Sequence, residues 1–251
     1  MQLGRGLPIA IGAFLLVSCG PSRDSEKLTV AAAANLTEVF GEVGRAFTAK
    51  TGVDVVFSYG STAELAQQIA NGGPFDVFAA ADTEHVDSLI ASGKLTRASR
   101  AIYALGELAL WVPRGERSSV KELKDLVGKQ VRFVSVAQPD LAPYGKATIE
   151  ALKGAGVWDA VQLKIVYANS ISQAKQLASS GNADAAFTAY SLVFHEHGSI
   201  LKVDRQLYRP IEQAMGILTS SARPEAAKQF SAFLLDGEGR AILAKSGYLV
   251  P

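Results

Sequence analysis

The strongest constraint on this chain is the regular alternation of short apolar runs with amphipathic stretches along most of its length. Leu28–Ala33 suits a buried strand and leads to Asn35, placed to cap a helix whose inward face is Leu36, Val39, Phe40, Val43 and Phe47. That helix is expected to stop near Gly52, and Val53–Phe57 reads as the next strand. Leu65 and Ile69 form the buried face of a second helix, which Asn71, Gly72, Gly73 and Pro74 end. Val77–Ala81 returns as strand, and Asp82 caps a helix carrying Val86, Leu89 and Ile90. Beyond a strand-like stretch at Leu105–Pro113 the pattern resumes: Val131–Val136 as strand, Lys146–Lys153 as helix, Leu163–Tyr167 as strand. A helix opened by Ser170 or Ser172 and stopped at Gly181 then precedes a strand at Ala183–Ala189. This alternation predicts α/β layers with mostly parallel sheets.

With 251 residues, the chain accommodates two such α/β units of roughly 100 residues each. The end of the sequence decides how they connect. Leu207–Leu218 reads as extended, Pro224 begins a helix with Ala227, Phe230, Phe233 and Leu234 inward, and a short helix spans Arg240–Lys245. If these elements rejoin the first unit, the chain crosses twice, near Leu105–Trp111 and near Leu207–Ile211, and two crossings make a hinge. The expected division is lobe 1 from 28–107 plus 208–251 and lobe 2 from 108–207.

The amino terminus has its own logic. Met1–Arg5 is short and basic, and Leu7–Val17 is almost wholly apolar but far shorter than the roughly 20 residues of a membrane-spanning helix. Residues 1–18 therefore read as an export signal. Leu16-Val17-Ser18-Cys19 resembles the lipobox of bacterial lipoproteins, which implies a lipidated Cys19 as the first mature residue. Residues 19–27 would be the tether, and the protein would sit in the periplasm or at the cell-envelope exterior, held to the membrane by lipid.

Composition excludes several functions. Lys and Arg total 25 against 24 Asp and Glu, and the leader holds only Arg5, so the mature chain balances 24 with 24 and offers no large basic surface for nucleic acid. A single cysteine permits neither an internal disulfide nor a multi-cysteine zinc site. His195, Glu196 and His197 place two histidines at i and i+2, apart on a helix and without HExxH spacing, so a solvated helix end is expected and no metal site. Asp76 and Asp82 flank an apolar strand but have no nucleophile or leaving-group acid beside them, and no Walker loop, GxGxxG or GxSxG is present. An enzyme is therefore not expected. Trp111 and Trp158 lie among apolar residues and read as packing.

Three places join a strand end, small polar residues and a helix start: Ala33–Thr37, Gly60–Glu64 and Asn169–Ser172. First-turn N–H groups lack intrahelical acceptors and carry partial positive charge, so such termini bind anions without lysine or arginine. Residues 32–36 (Ala-Ala-Ala-Asn-Leu), 60–69 (Gly-Ser-Thr-Ala-Glu-Leu-Ala-Gln-Gln-Ile), 72–82 (Gly-Gly-Pro-Phe-Asp-Val-Phe-Ala-Ala-Ala-Asp) and 142–145 (Ala-Pro-Tyr-Gly) resemble the periplasmic molybdate-binding proteins of ABC importers, a resemblance running from about Leu28 to Pro251. It implies the class II periplasmic-binding-protein fold, two α/β lobes with a ligand cleft and a two-crossing hinge. It also implies a molybdate or tungstate dianion held by neutral donors and delivered to an ABC permease, by a monomer with no cofactor.

Carried over by position, the resemblance implies contacts at Asn35 with Ala34, at Thr62 with Ser61, at Tyr144, and at the backbone N–H of Ile171. Some members also use a tyrosine near the end of the last strand of the second lobe. Gapless counting puts Ala189 there, with Tyr190 beside it. Residue types do not separate molybdate from tungstate, and a receptor for another tetrahedral oxyanion or a small organic anion fits the same fold.

Overall fold

The computed structural model describes residues 27–113 and 120–251. The leader, Cys19 and nearly all of the proposed tether lie outside the described residues.

The first part of the chain runs β1 (Leu28–Ala33), α1 (Val39–Thr51), β2 (Val55–Gly60), α2 (Thr62–Ala70), β3 (Val77–Ala79), α3 (Glu84–Ala91) and β4 (Ala101–Gly106). The middle runs β5 (Leu108–Val112), β6 (Val134–Ala137), α4 (Pro143–Gly154), α5 (Trp158–Val161), β7 (Ile165–Ala168), α6 (Ile171–Ser179), β8 (Ala185–Ala189) and β9 (Ser199–Lys202). β10 (Ile211–Ile217), α7 (Pro224–Leu235) and α8 (Gly237–Lys245) complete it. The strands form two five-stranded sheets, ordered β2-β1-β3-β10-β4 and β7-β6-β8-β5-β9. Each sheet with its helices is one lobe.

The sheets are mixed, where the alternation alone predicted mostly parallel ones. β2, β1 and β3 run parallel, as do β7, β6 and β8, but β10 is antiparallel to β3 and β4, and β5 to β8 and β9. β5 and β10 are the strands that arrive from the other lobe, so no crossover helix of their own lobe orients them. The stretch expected as one strand at Leu105–Pro113 is two strands of different sheets, with only Glu107 between them. The return follows the turn at Arg205–Leu207.

Aromatic packing explains why the C-terminal helices come back to the first lobe. Phe230 of α7 meets Phe47 at 5.3 Å and Phe40 at 6.0 Å between ring centroids, and Phe233 meets Phe47 at 5.6 Å. Burying each such ring contributes about 1.5–3 kcal/mol, which the end of the chain cannot obtain alone.

Asn35 does not begin a long helix: Ala34–Leu36 is a 3-10 turn and α1 starts only at Val39. Asp82 does serve the start of α3, accepting from the backbone N–H of His85 at 3.0 Å and contacting its ring at 2.7 Å. Asp76 has a structural task, accepting from the Thr29 N–H at 2.9 Å and the Ser221 hydroxyl at 2.7 Å. Residues 195–197 lie in the turn and bend after the 3-10 helix Tyr190–Leu192, and Glu196 pairs with Lys175. Trp111 is buried, and its indole N–H donates to the carbonyl of His197.

Candidate functional site

The candidate residues gather where strands end and helices begin. Ala33 of β1 is in register with Gly60 of β2, so Ala34 and Asn35 emerge beside Ser61 and Thr62 at the carboxyl edge of the first sheet. Ligands of α/β sheets lie at that edge. The other lobe contributes Tyr144 in the first turn of α4 and Ile171 as the first residue of α6.

The two lobes are closed on one another here. The Ser172 hydroxyl donates to the carbonyl of Ala34 at 2.7 Å, and the Ala63 N–H donates to that of Leu141 at 3.1 Å. Farther out, the Lys175 ammonium meets Glu38 of the first lobe at 2.7 Å and Glu196 of its own lobe at 2.8 Å, and Lys146 meets Glu84 at 3.2 Å. In consequence Asn35, Thr62 and Tyr144 are each 1% exposed, Ser61 and Ile171 3%, and Ala34 5%. A groove of about 490 Å³ between the lobes is lined by Asp82, His85, Pro143 and Arg209 among others, but by none of these six residues. The candidate site is thus an enclosed interior, separate from that groove.

Its chemistry is that of neutral donors. Ser61 and Glu64 face one another in a capping box, the backbone N–H of Ser61 donating to the Glu64 carboxylate at 3.4 Å, and the buried Ser61 hydroxyl keeps its proton to give. The Thr62 hydroxyl accepts from the Ala81 N–H at 3.2 Å and keeps its own proton to give. The N–H groups of Thr62 and Ile171, first residues of α2 and α6, have no acceptor within their helices. Ser170 caps α6, its hydroxyl accepting from the Gln173 N–H at 3.2 Å.

Asn35 and Tyr144 meet through residues that sequence reasoning missed. Asn35 Nδ2 donates to Gln213 Oε1 at 2.9 Å and to the Tyr248 hydroxyl at 3.0 Å. Tyr248 donates in turn to the main-chain carbonyl of Asn35 at 2.8 Å. Gln213 Nε2 donates to the Tyr144 hydroxyl at 3.0 Å, and the Tyr103 hydroxyl lies 3.0 Å from Gln213 Oε1 and 2.8 Å from the carbonyl of Ala80. Gly106 makes room: a Cβ there would overlap the Tyr144 hydroxyl and sit 2.7 Å from Gln213 Nε2. Burial pushes the phenols of Tyr103, Tyr144 and Tyr248 above their ordinary pKa, so all three keep their protons. The available signal for Gln213 was a polar residue at an inward position of an apolar strand; Tyr103 and Tyr248 gave none.

Of the two remaining positions, Ala189 is fully buried at the end of β8. Tyr190 opens the following 3-10 turn, its ring 3.8 Å from the Lys202 ammonium and 6.0 Å from Phe194. Among the described residues no group of three or more His, Cys, Asp or Glu side chains is placed to hold a metal ion.

Known proteins are similar to this chain in sequence and fold. Residues 28–249 match the model of the bacterial extracellular solute-binding protein family. The molybdate-binding protein ModA of Rhodobacter capsulatus is 37% identical over 99% of this chain and 93% of its own length. That of Azotobacter vinelandii is 34% identical over 96% of both. The solved periplasmic molybdate-binding protein of Azotobacter vinelandii superposes with a TM-score of 0.86 at 32% identity, covering 90% of this chain and 100% of that one.

Proposed function

Because the chain belongs to the bacterial extracellular solute-binding proteins, alongside molybdate-binding relatives of near-full-length similarity, we propose that it captures molybdate or tungstate between its lobes for an ABC permease. The observation that carries this reading is the enclosed set of neutral donors supplied by both lobes: the hydroxyls of Ser61, Thr62 and Tyr144 and the first-turn N–H of Ile171. A tetrahedral dianion offers acceptors in four directions and no proton. Fixed donors match it, and an anion carrying a proton would leave a donor facing a donor.

In this reading the lobes are 28–107 with 208–251, and 108–207, and the permease reads the closed form. The chain catalyses no reaction and works as a monomer outside the cytoplasm, tethered through a lipidated Cys19. Calorimetric titration of the delipidated mature protein with molybdate, tungstate, sulfate and phosphate tests the ligand: tight molybdate and tungstate binding is expected, and preference for sulfate or phosphate would overturn it. Membrane partitioning of the exported protein, lost in Cys19→Ala, tests the anchor.

A further inference from the structure

The hydrogen bonds around Asn35 form a chain with a direction, and the direction is set at one end by a group that cannot donate. That group is the main-chain carbonyl of Asn35, which takes the single proton of the Tyr248 hydroxyl at 2.8 Å. Tyr248 therefore has only lone pairs left for the Asn35 side chain, and the amide must turn Nδ2 toward it, at 3.0 Å. The second hydrogen of Nδ2 goes to Gln213, so the amide of Gln213 presents Oε1, at 2.9 Å; the single Tyr103 proton also faces this oxygen, at 3.0 Å, shared with the Ala80 carbonyl at 2.8 Å. Its Nε2 then faces Tyr144 and donates to that hydroxyl at 3.0 Å. The Tyr144 oxygen is occupied as an acceptor, and its proton is left to point elsewhere.

Burial makes this matter. Gln213 and Asn35 are 0% and 1% exposed, and Tyr144 1%, so water cannot absorb a mismatch in polarity. Asn35 Oδ1 is the atom of the chain left without a partner, and a lone carbonyl oxygen is cheaper to leave so than an amide N–H. Were Gln213 reversed, Oε1 would take the Tyr144 proton, and the hydroxyl would offer the ligand only lone pairs.

We propose that Gln213, with its polarity fixed through Asn35 by Tyr248, is a positioning residue that aims the Tyr144 hydroxyl proton at the bound oxyanion. The inference rests on the proposed oxyanion reading and deepens it. Gln213 never touches the ligand; it decides whether the second lobe presents a donor.

The test is a double-mutant cycle read by calorimetry with molybdate, using Gln213→Met, Tyr144→Phe and the double variant, with thermal melting to confirm folding. Gln213→Met is expected to weaken binding at least tenfold when Tyr144 is present and less than twofold when it is Phe, because without the hydroxyl there is nothing left to aim. A packing role predicts the same loss in both backgrounds, and that result, or no loss with Tyr144 present, overturns the proposal. Tyr248→Phe removes the anchor of the chain without altering Gln213, and it is expected to show the same dependence on Tyr144; this variant decides the matter if Gln213→Met does not fold. Failure of the underlying reading is distinguishable, since the unmodified protein would then bind no molybdate, which overturns both.

Discussion

Ser172→Ala isolates the contribution of lobe closure to affinity. The Ser172 hydroxyl reaches from the first turn of α6 to the carbonyl of Ala34 at 2.7 Å, joining the residue after Ile171 to the residue before Asn35. A neutral hydrogen bond of this kind contributes about 0.5–1.5 kcal/mol. The lower half of that range applies, because the Ala34 carbonyl keeps the Thr37 hydroxyl at 2.6 Å and is not orphaned. The bond exists only with the lobes together, so its loss of about 0.5–1 kcal/mol falls on the closed, ligand-binding form, and Kd rises about two- to fivefold. Calorimetry with molybdate and with tungstate should show the same factor for both, since the hydroxyl is spent on a carbonyl and not on the anion, and stopped-flow release should be faster. An unchanged Kd, or a shifted molybdate-to-tungstate ratio, would refute the reasoning.

Removing donors should cost more than removing that tie: Thr62→Ala and Ser61→Ala should each weaken molybdate binding by about 1–3 kcal/mol in titration calorimetry, the range for leaving a charged acceptor short of a partner. Gly106→Ala should destabilise the fold by about 1–3 kcal/mol, read from denaturant melts, and should also lower affinity, because the new Cβ occupies the place of the Tyr144 hydroxyl. His85 has its pKa raised, first by its hydrogen bond to Asp82 and then by the charges of Asp82 and Glu84, against opposition from burial and from Lys146. Its stabilisation is therefore complete below the unfolded value of about 6.5 and fades as pH rises through the higher folded value. Melting curves of the protein and of His85→Gln should differ at pH 5.5, by no more than about 1 kcal/mol, and converge toward pH 9.

Much of the fold was legible because burial leaves a periodic trace. Val39, Phe40, Val43 and Phe47 mark the inward face of α1, and the stretch read as a buried strand, Val77–Ala81, is strand over Val77–Ala79. The topology was harder, since nothing local distinguishes β10 from a parallel strand; its direction follows from where the chain re-enters the first lobe. The candidate donor sites at Gly60–Glu64 and Asn169–Ser172 were readable because a helix start exposes donors whatever surrounds it. Asn35 misled in one respect. Its residue type suggested a cap, but its amide is claimed by Gln213 and Tyr248, which lie 178 and 213 residues away. Partners so distant leave no local periodic trace.

A receptor for transport must close when it holds its anion and open to give it up, and the contacts between the lobes suit both needs. Lys175 pairs with Glu38 across the cleft but also with Glu196 in its own lobe, so opening does not strip the ammonium of every partner. Lys146 and Glu84 form an exposed pair, worth about 0–1 kcal/mol. These ties are too weak to hold the lobes together alone. Closure without an anion would bury the Ser61 hydroxyl, the spare protons of Thr62 and Tyr144, and the Ile171 N–H unsatisfied, at about 1–3 kcal/mol each. Together these groups can supply the roughly 5.5 kcal/mol that turns a population from 1:99 to 99:1. In the proposed site the anion would answer all of them at once, so the free energy that favours closure would come from the ligand, and the proposed donors trap a dianion by hydroxyls and a main-chain N–H instead of by cationic side chains.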